Sequence, residues 1–507
     1  MFRLKRSEID TGHFNVVFVN RIDAQNLGLF PTEKVEIYSS NDKTRRITAR
    51  VNILDGKSNG SRKKIPKGYI ALSNKAFDSL GLKENDSVNI SSFSIVKSFD
   101  KVKEKWEGET LSREDFKIII DDISKEKYES PHITYFLLAC QKSGLSYDEI
   151  ASLTLALVEA GKTLKIDSDI VVDKHCIGGI PNNRTTPIIV PIIASYGIKI
   201  PNTFTKAITT SAATADVVGT FMNVEIGLDR MKEIVEKTNG CLVWGGALDM
   251  APGDDILIQV SRPLNIDSRG QMIASILSKK MATNLTHLLI DIPYGKEAKA
   301  VNLEDANELK KDFEEVSKIL GLNLKVVITN GENPIGRGIG PIAEMMDVLS
   351  VLKNEKDCPK DLKENAIYLA SELINFAEKR TDGEKIAREI LESGKAYEKF
   401  MEIRKEQGEI ELGKLSKYSL EVRSEVSGEI KDIDNNKIKK INRIAGAPFD
   451  LGSAIILERN FNDGKGKVSK GDLLFTVFSS SKEKLELVKD YIKENGNSFE
   501  IVIVQYI

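Results

Sequence analysis

The sequence predicts a multidomain α/β protein with a small N-terminal β domain, a helical domain, a central domain built on a mostly parallel α/β sheet, and a C-terminal β-rich α+β domain. The chain has 507 residues, of which 41% are hydrophobic, so it can form several domains of about 150 residues each. Apolar and polar residues alternate near both ends, whereas the middle alternates short β-branched runs with helical segments. The predicted domains are 1–95, 96–168, 169–350, 351–415 and 416–507, the fourth being a helical segment that completes the core.

The composition excludes several classes of protein. Lysine plus arginine total 73 against 75 acidic residues, so a formal net charge of −2 leaves no overall field to attract nucleic acid or an anionic membrane. The four cysteines and four histidines lack the spacing of a metal site or a redox pair, and we expect a cytoplasmic protein without metal or cofactor. No apolar run approaches the roughly 20 residues of a membrane span, and the first residues do not resemble a signal peptide. Any anion site must therefore be local.

A change of periodicity separates the first two domains. The stretches Phe14–Val19 and Ile47–Val51 alternate apolar and polar positions, which is typical of strands. In the second domain, apolar residues such as Ile133, Phe136 and Cys140 recur at helical spacing, which predicts packed helices.

Four short apolar runs in the central domain are separated by helical segments, which is the pattern of a mostly parallel sheet. The loops that follow such strands are candidate sites, because α/β sheets bind ligands at the carboxyl ends of their strands. The runs are 170–172, 241–244, 288–292 and 324–328.

The first candidate loop runs from Asp173 to Thr186, after a β-type apolar pair and before a long apolar run. Gly178 and Gly179 allow backbone N–H groups to approach an oxyanion closely, while Lys174 and Arg184 supply positive charge. We interpret the segment as a phosphate-binding loop between a strand and an apolar element.

A second candidate loop runs from Thr205 to Asp216 and is rich in hydroxyl and small side chains. These residues would give the oxygens of an anion close access to the chain at a helix start. The alternative is an ordinary helix cap followed by a helix of small residues.

A third segment, Asp267 to Lys280, has polar residues at every fourth position. If it is helical, Asp267, Gln271, Ser275 and Lys279 form one polar stripe, since steps of four residues drift only about 40° around a helix. A carboxyl, an amide, a hydroxyl and an ammonium group on one face could bind a heterocyclic base. The alternative is that Asp267 only caps the helix and Lys279 is solvated.

Two further loops follow predicted strands. The segment Asp291–Lys299 ends a strand in a glycine turn with two lysines, at a position where α/β sheets place ligands. The segment Gly331–Gly340 also follows a strand, but we favour a structural role for its glycines, which would let a helix pack closely.

These segments, in this order, resemble the nucleoside phosphorylases of the thymidine phosphorylase and pyrimidine nucleoside phosphorylase family, in particular its long-chain branch, which includes AMP phosphorylases. The resemblance covers most of the chain. The first-loop pattern of the branch, Lys-His-Ser or Lys-His-Cys followed by an aliphatic residue and two glycines, matches Lys174–Gly179. The segments 244–246, 254–258, 286–293 and 446–448 also look like family segments.

The resemblance implies an enzyme that catalyses reversible phosphorolysis, and it implies roles for individual residues. Asp267 matches the proposed proton donor, and Lys174 and His175 belong to the catalytic group. Ser275, Lys279 and Lys299 would contact the base or the nucleotide. Phosphate and sugar would be held by Gly178, Gly179, Thr205, Lys206, Ala207, Ile208, Thr209, Thr210 and Thr214.

Three departures from the family pattern concern the site. The pattern Ser-Arg-Ala-Ile-Thr-Ser appears here as Thr205–Thr210, so Lys206 replaces an arginine and a point charge replaces a bidentate guanidinium. Asn182 stands where glycine is usual, and asparagine is among the few residues that tolerate a positive φ. Val260 stands where short-chain thymidine phosphorylases have an arginine.

The most favoured reaction is thymidine plus phosphate giving thymine and 2-deoxyribose 1-phosphate, since Cys176 and the segment Thr185–Pro187 lean toward thymidine phosphorylases. The alternative within the family is an AMP phosphorylase that gives a free base and ribose 1,5-bisphosphate. Outside the family, the main alternative is a phosphoribosyltransferase-like enzyme that uses pyrophosphate. The clustered loops argue against an assembly scaffold. The expected partners are a nucleoside or nucleoside monophosphate and phosphate, without nucleic acid or membrane, and the terminal β domains suggest a homodimer or higher homo-oligomer.

Overall fold

The computed structural model describes residues 1–11, 14–54, 65–92, 96–207, 211–266, 268–458 and 466–502. The chain forms two compact units. One contains residues 1–143 with 256–266, and the other contains residues 144–255 with 267–507.

The first unit begins with a closed six-stranded barrel, in the strand order β1-β5-β2-β4-β3-β6. Residues at alternate strand positions, among them Leu4, Val17, Val19, Val35 and Ile37, fill its interior, as the alternation in the sequence predicts. The elements are β1 (Phe2–Arg6), β2 (Val16–Asn20), α1 (Arg21–Leu27), β3 (Lys34–Ser39), β4 (Arg46–Leu54), β5 (Tyr69–Leu72), α2 (Asn74–Leu80) and β6 (Ser87–Ser92).

Helices follow the barrel, where the sequence predicts a helical domain. Ser112 and Asp115 form a reciprocal capping box that starts α4, because each side chain accepts the other residue's backbone N–H group. The helices of this part are α3 (Phe99–Glu107), α4 (Arg113–Ser124) and α5 (Ser130–Ser143).

The second unit is organised around parallel strands. Three of them pair in the order β11-β10-β7 and two more pair as β8-β9, while a parallel bridge between Val171 and Lys199 lies beside β7 and β8. The elements are α6 (Tyr147–Glu159), β7 (Val172–Cys176), α7 (Thr186–Tyr196), β8 (Ile200–Phe204), α8 (Thr214–Val218), α9 (Leu228–Thr238), β9 (Gly240–Trp244), α10 (Pro252–Ser261, divided between the units), α11 (Arg269–Met281), β10 (His287–Tyr294), α12 (Leu303–Leu320) and β11 (Asn323–Asn330).

One large apolar core supports this sheet. The apolar run after the first candidate loop is the buried helix α7, which packs against α14 and α16. The segment predicted to complete the core supplies three of the surrounding helices. The elements that follow β11 are β12 (Gly338–Ile339), α13 (Pro341–Leu352), α14 (Lys360–Glu378), α15 (Gly383–Glu392) and α16 (Lys395–Gln407).

The C-terminal part contains two antiparallel sheets and two helices. One sheet has the order β12-β15-β17-β13 and the other has β16-β14-β18. Helix α17 is amphipathic and buries Ile438, Ile441 and Ala445 in the local core. The elements are β13 (Tyr418–Arg423), β14 (Gly428–Ile433), α17 (Asn435–Ala445), β15 (Ala454–Leu457), β16 (Gly466–Val468), β17 (Leu473–Ser479), α18 (Lys482–Asn495) and β18 (Phe499–Val502).

None of the helices in the described part of the chain combines the length and the apolar character that crossing a bilayer requires.

Candidate active site

The candidate loops lie at one edge of the parallel strands. Because β10 pairs in parallel with β7, the loops that follow both strands leave the sheet on the same side. These two loops meet, since a Cβ atom placed on Gly179 would lie 3.4 Å from the Cα atom of Ala298 and 3.6 Å from the backbone nitrogen of Lys299. The structure therefore brings together the first candidate loop and the loop that ends at Lys299.

Strand β7 extends further than the sequence analysis predicted. The polar loop was expected to begin at Asp173, but Lys174, His175 and Cys176 belong to the strand, because their backbones continue the pairing with β10. The loop begins instead at Ile177, whose N–H group donates to the Asp291 carbonyl oxygen at 3.1 Å.

The loop itself contains three residues with positive φ. Gly178 and Gly179 have φ values of 91° and 109°, and Asn182 has a φ of 53°. Asn182 is fully buried, and its Nδ2 atom donates to Asp347 Oδ2 at 2.7 Å. Asparagine therefore meets the conformational requirement of this position and adds a buried hydrogen bond that glycine lacks.

The Gly331–Gly340 loop shows why its glycines are needed. A Cβ atom on Gly336 would lie 2.4 Å from Asn182 Nδ2, and one on Gly338 would lie 2.4 Å from the Ala343 carbonyl oxygen. Asp347 Oδ2 also accepts the N–H group of Gly338 at 2.7 Å. These close approaches agree with the structural role that we favoured for the loop.

Lys174 lies in a buried ion pair. Its Nζ atom is 3.2 Å from Asp291 Oδ2, and the two side chains are 1% and 0% exposed. The same Nζ atom donates to Thr185 Oγ1 at 3.0 Å. Asp291 thus neutralises the charge that the sequence analysis assigned to the loop, and Thr185 ties the strand to the end of that loop.

Two more buried ion pairs stabilise this loop and strand β7. Arg184, the other predicted cation of the loop, has its Nε atom 2.6 Å from Glu344 Oε2 on α13, so its charge too is neutralised within the protein. Lys280 on α11 donates to Asp173 Oδ2 at 2.6 Å and to the Thr203 carbonyl oxygen at 2.8 Å.

The surroundings of His175 are desolvated and positively charged. Burial, together with the charges of four lysines, lowers its pKa well below the ordinary value. The imidazole is therefore neutral near pH 7 and can donate or accept a hydrogen bond. The lysines, in decreasing order of effect, are Lys280, Lys174, Lys279 and Lys299.

Cys176 follows His175 and is protonated. Burial, with a smaller effect of the Asp291 carboxylate, raises the pKa of its thiol to about 12. The Sγ atom accepts from Asn183 Nδ2 at 3.4 Å.

The loop after β8 is more exposed. Thr205 is exposed, and Lys206 forms an ion pair with Glu225 while its Nζ atom lies 3.9 Å from the centroid of the Trp244 ring. The N–H group of Ala207 donates to Asp216 Oδ2 at 2.7 Å, so that N–H group is occupied within the chain.

The remaining residues predicted for this loop divide into two groups. Thr214 is the first residue of α8, a helix of five residues whose N-cap is Ala213. Ile208, Thr209 and Thr210 lie outside the described residues.

Helix α11 carries the predicted base-binding residues. Ser275 Oγ donates to Asp254 Oδ2 at 2.7 Å, and Lys279 Nζ lies 2.9 Å from Asp254 Oδ2 and 2.9 Å from Asp255 Oδ1. Burial lowers the pKa of Lys279, but the two carboxylates outweigh burial and raise it above the ordinary value. Ser275 and Lys279 thus share one carboxylate, which identifies Asp254 as a member of the site that the sequence analysis did not select.

Two further predicted site residues, Asp267 and Lys299, have different outcomes. Asp267 lies outside the described residues, and α11 begins at Arg269 with Ser268 as its N-cap. Lys299, in the loop after β10, is exposed, and its Nζ atom contacts Met272 Sδ of α11 at 3.6 Å. The loop after β10 and helix α11 are therefore neighbours.

Among the described residues, no group of three or more His, Cys, Asp or Glu side chains is arranged to hold a metal ion.

The fold and the chain both match known glycosyl-transferring proteins. Residues 100–161 match the family model "Glycosyl transferase family, helical bundle domain". The solved anthranilate phosphoribosyltransferase of Thermus thermophilus superposes with a TM-score of 0.52 over 61% of this chain and 99% of its own, at 18% identity, which establishes a likeness of fold. These matches define a multidomain α/β protein that contains the helical bundle domain of a glycosyl transferase family.

Curated relatives show to which family the chain belongs. The "Putative thymidine phosphorylase" of Legionella pneumophila (strain Corby) is 38% identical over 497 residues, which cover 97% of this chain and 94% of the relative. The "AMP phosphorylase" of Methanococcus vannielii is 37% identical over 487 residues, which cover 94% and 93%. The chain belongs to the family of the long-chain thymidine and AMP phosphorylases, as its motifs predicted, and is an enzyme of the pentosyltransferase kind.

Proposed function

We propose that the protein catalyses the reversible phosphorolysis of thymidine. Inorganic phosphate attacks the anomeric carbon, the bond from that carbon to the base nitrogen breaks, and the base leaves with the bonding electrons and gains a proton. The products are thymine and 2-deoxyribose 1-phosphate. The family of the chain and the name of its Legionella relative support this reaction.

The observation that carries the proposal is that the loop after β10 and helix α11 both contact the β7 segment, where the charges of four lysines act on His175. Two of these lysines, Lys279 and Lys280, come from α11, and Lys299 comes from the loop after β10. The reaction has two anionic participants, phosphate and the departing base, and preorganised cations stabilise such charge in a site that excludes water.

We assign phosphate to the loop after β7. Gly178 and Gly179 have positive φ values and no side chains, so this loop would let backbone N–H groups approach an oxyanion closely. Lys174 is paired with Asp291 and bonded to Thr185, so in this scheme it supports the loop from a buried position and adds only a partly compensated positive charge to the phosphate site. The loop after β8, from Thr205 to Thr210 together with Thr214, completes the phosphate and sugar contacts.

We assign the base to α11 and His175. Lys279 keeps its proton because Asp254 and Asp255 raise its pKa, so it can stabilise the negative charge of a departing pyrimidine. Ser275 and neutral His175 act as hydrogen-bond partners of the base. Asp267 is the proton donor in this scheme, which requires a pKa raised toward the working pH.

A second candidate is phosphorolysis of AMP, which yields adenine and ribose 1,5-bisphosphate. The Methanococcus relative, named an AMP phosphorylase, favours it at nearly the same identity. The exposed ammonium group of Lys299 would then contact the nucleotide.

The test is a chromatographic assay for free base from thymidine, uridine, cytidine, AMP and CMP, each with and without inorganic phosphate. We expect phosphate-dependent release of thymine from thymidine. Release from AMP or CMP but from none of the nucleosides would replace the proposal by the second candidate. Release of no base from any substrate would contradict both.

A further inference from the structure

Helix α17 of the C-terminal part contacts three of the loops at the strand ends. Lys439 Nζ donates to the Gly179 carbonyl oxygen at 3.3 Å. The backbone N–H group of Asn435 donates to Glu297 Oε2 at 2.6 Å, and its Nδ2 atom donates to the Glu332 carbonyl oxygen at 3.0 Å. One helix thus reaches the loops after β7, β10 and β11.

Two carboxylates near Lys439 favour the charged form of its ammonium group. Burial lowers the pKa of Lys439, and the negative charges of Glu297 and Asp434 oppose that effect. Burial and the neighbouring Asp434 carboxylate raise the pKa of Glu297. A cation here therefore relieves the repulsion between two acidic groups while its hydrogen bond reaches the glycine loop.

The hydrogen bond from Lys439 orients one peptide group of that loop. In a planar trans peptide the C=O and N–H groups point in opposite directions, so fixing the Gly179 carbonyl toward Lys439 turns the N–H group of Ile180 the other way. Gly179 has a φ of 109°, and glycine permits many alternative backbone conformations, so a fixed carbonyl reduces the number of competing loop structures.

We propose that Lys439 is a positioning residue for phosphate, which it does not touch itself but for which it preorganises the Gly178–Gly179 loop. This inference rests on the proposed function, because it takes that loop as the phosphate site. The C-terminal part thereby contributes to phosphate affinity through α17.

The test is isothermal titration calorimetry with inorganic phosphate, followed by steady-state kinetics of the full-length protein. We expect Lys439→Met to raise the Kd and the KM for phosphate about ten-fold, the effect of one charge-assisted hydrogen bond, with kcat and the KM for the nucleoside changed less than about two-fold. Lys439→Arg, which keeps the charge and a donor, restores phosphate affinity to within about two-fold of the wild type. Lys440→Met, a change at the exposed neighbouring residue of the same helix, is the matched control.

Two results would overturn the inference. The first is wild-type phosphate affinity in Lys439→Met. The second is an equal loss of phosphate and nucleoside affinity that Lys439→Arg does not restore, which would indicate a purely structural residue. If the wild type binds phosphate but releases no base, the proposed function fails while the calorimetric comparison still decides the role of Lys439. A wild type that binds no phosphate rejects both.

Discussion

The strand ends of β7 and β8 each present a lysine beside small residues, yet the two lysines lie in opposite environments. Lys174 and its partner Asp291 are 1% and 0% exposed, whereas Lys206 and its partner Glu225 are 39% and 55% exposed. The chemistry of the pairs is the same. Their burial differs, and burial decides how much each pair contributes to the structure.

Desolvation explains why the buried pair and the exposed pair contribute differently to stability. Removing one partner of a buried ion pair leaves a charge without water or counter-ion, which costs about 3–5 kcal/mol, whereas an exposed pair contributes about 0–1 kcal/mol. The β7 end, with its pairs Lys174–Asp291 and Lys280–Asp173, is accordingly a rigid support. The β8 end can exchange its internal partner for a ligand at low cost.

Among the variants that test this comparison, Lys280→Met is expected to change the stability of the protein most. We expect it to destabilise the protein by about 3–5 kcal/mol, because Asp173 would remain buried without its cation. The loss is measured as a fall in the midpoint of urea unfolding followed by tryptophan fluorescence. The double variant Lys280→Met with Asp173→Asn removes both charges and should recover part of the loss. A single variant as stable as the wild type would remove the distinction between the two strand ends.

An intermediate effect on stability is expected for changes at Asn182. Two variants at this position separate the cost of backbone strain from the cost of a lost hydrogen bond in the loop after β7. Asn182→Gly keeps the positive φ but loses the bond to Asp347, at a cost of about 1–2 kcal/mol. Asn182→Ala adds roughly 1–2 kcal/mol more, because alanine is strained in the left-handed region. Urea unfolding of both variants checks the order. Equal stabilities would show that the conformation at this position costs nothing.

The smallest effect on stability is expected for Lys206→Ala, which should change the free energy of unfolding by less than about 0.5 kcal/mol, since its ion pair is exposed. If the loop binds phosphate, the same variant lowers kcat/KM for phosphate by about ten-fold, as expected for the loss of one charged contact. Lys206→Arg, with a bidentate group, is the matched control and should retain or improve phosphate use. A clear loss of stability without a change in kinetics would contradict the contrast drawn here.

Local patterns in the sequence located the first candidate loop between a strand and a buried apolar element. A β-type apolar pair indicated the start of β7, but its end at Cys176 and the helical conformation of α7 were not predicted. The comparison of Asn182 with the expected glycine indicated a position of positive φ. Parallel strands in the central domain followed from β-branched runs. These features depend on residues close together in the chain.

The partners of the cations could not be predicted, because they are distant in sequence. Asp291 lies 117 residues beyond Lys174, Glu344 lies 160 beyond Arg184, and no local pattern links them. The polar stripe on α11 drew attention to Lys279, although Lys280 is the lysine on the buried face with Ile273 and Leu277. A lysine at the same helical spacing as the buried apolar residues indicates a buried ion pair. The sequence analysis did not use this signal.

The protonation of the Cys176 thiol determines how readily this cysteine reacts with oxidants and alkylating reagents. Alkylating reagents and peroxides attack thiolates, and a thiol whose pKa is about 12 is almost entirely uncharged at neutral pH. A cysteine at the mouth of the glycine loop would otherwise couple the site to oxidative stress. Because the raised pKa leaves little thiolate at this half-buried position, we expect Cys176 to react slowly with alkylating reagents and peroxides.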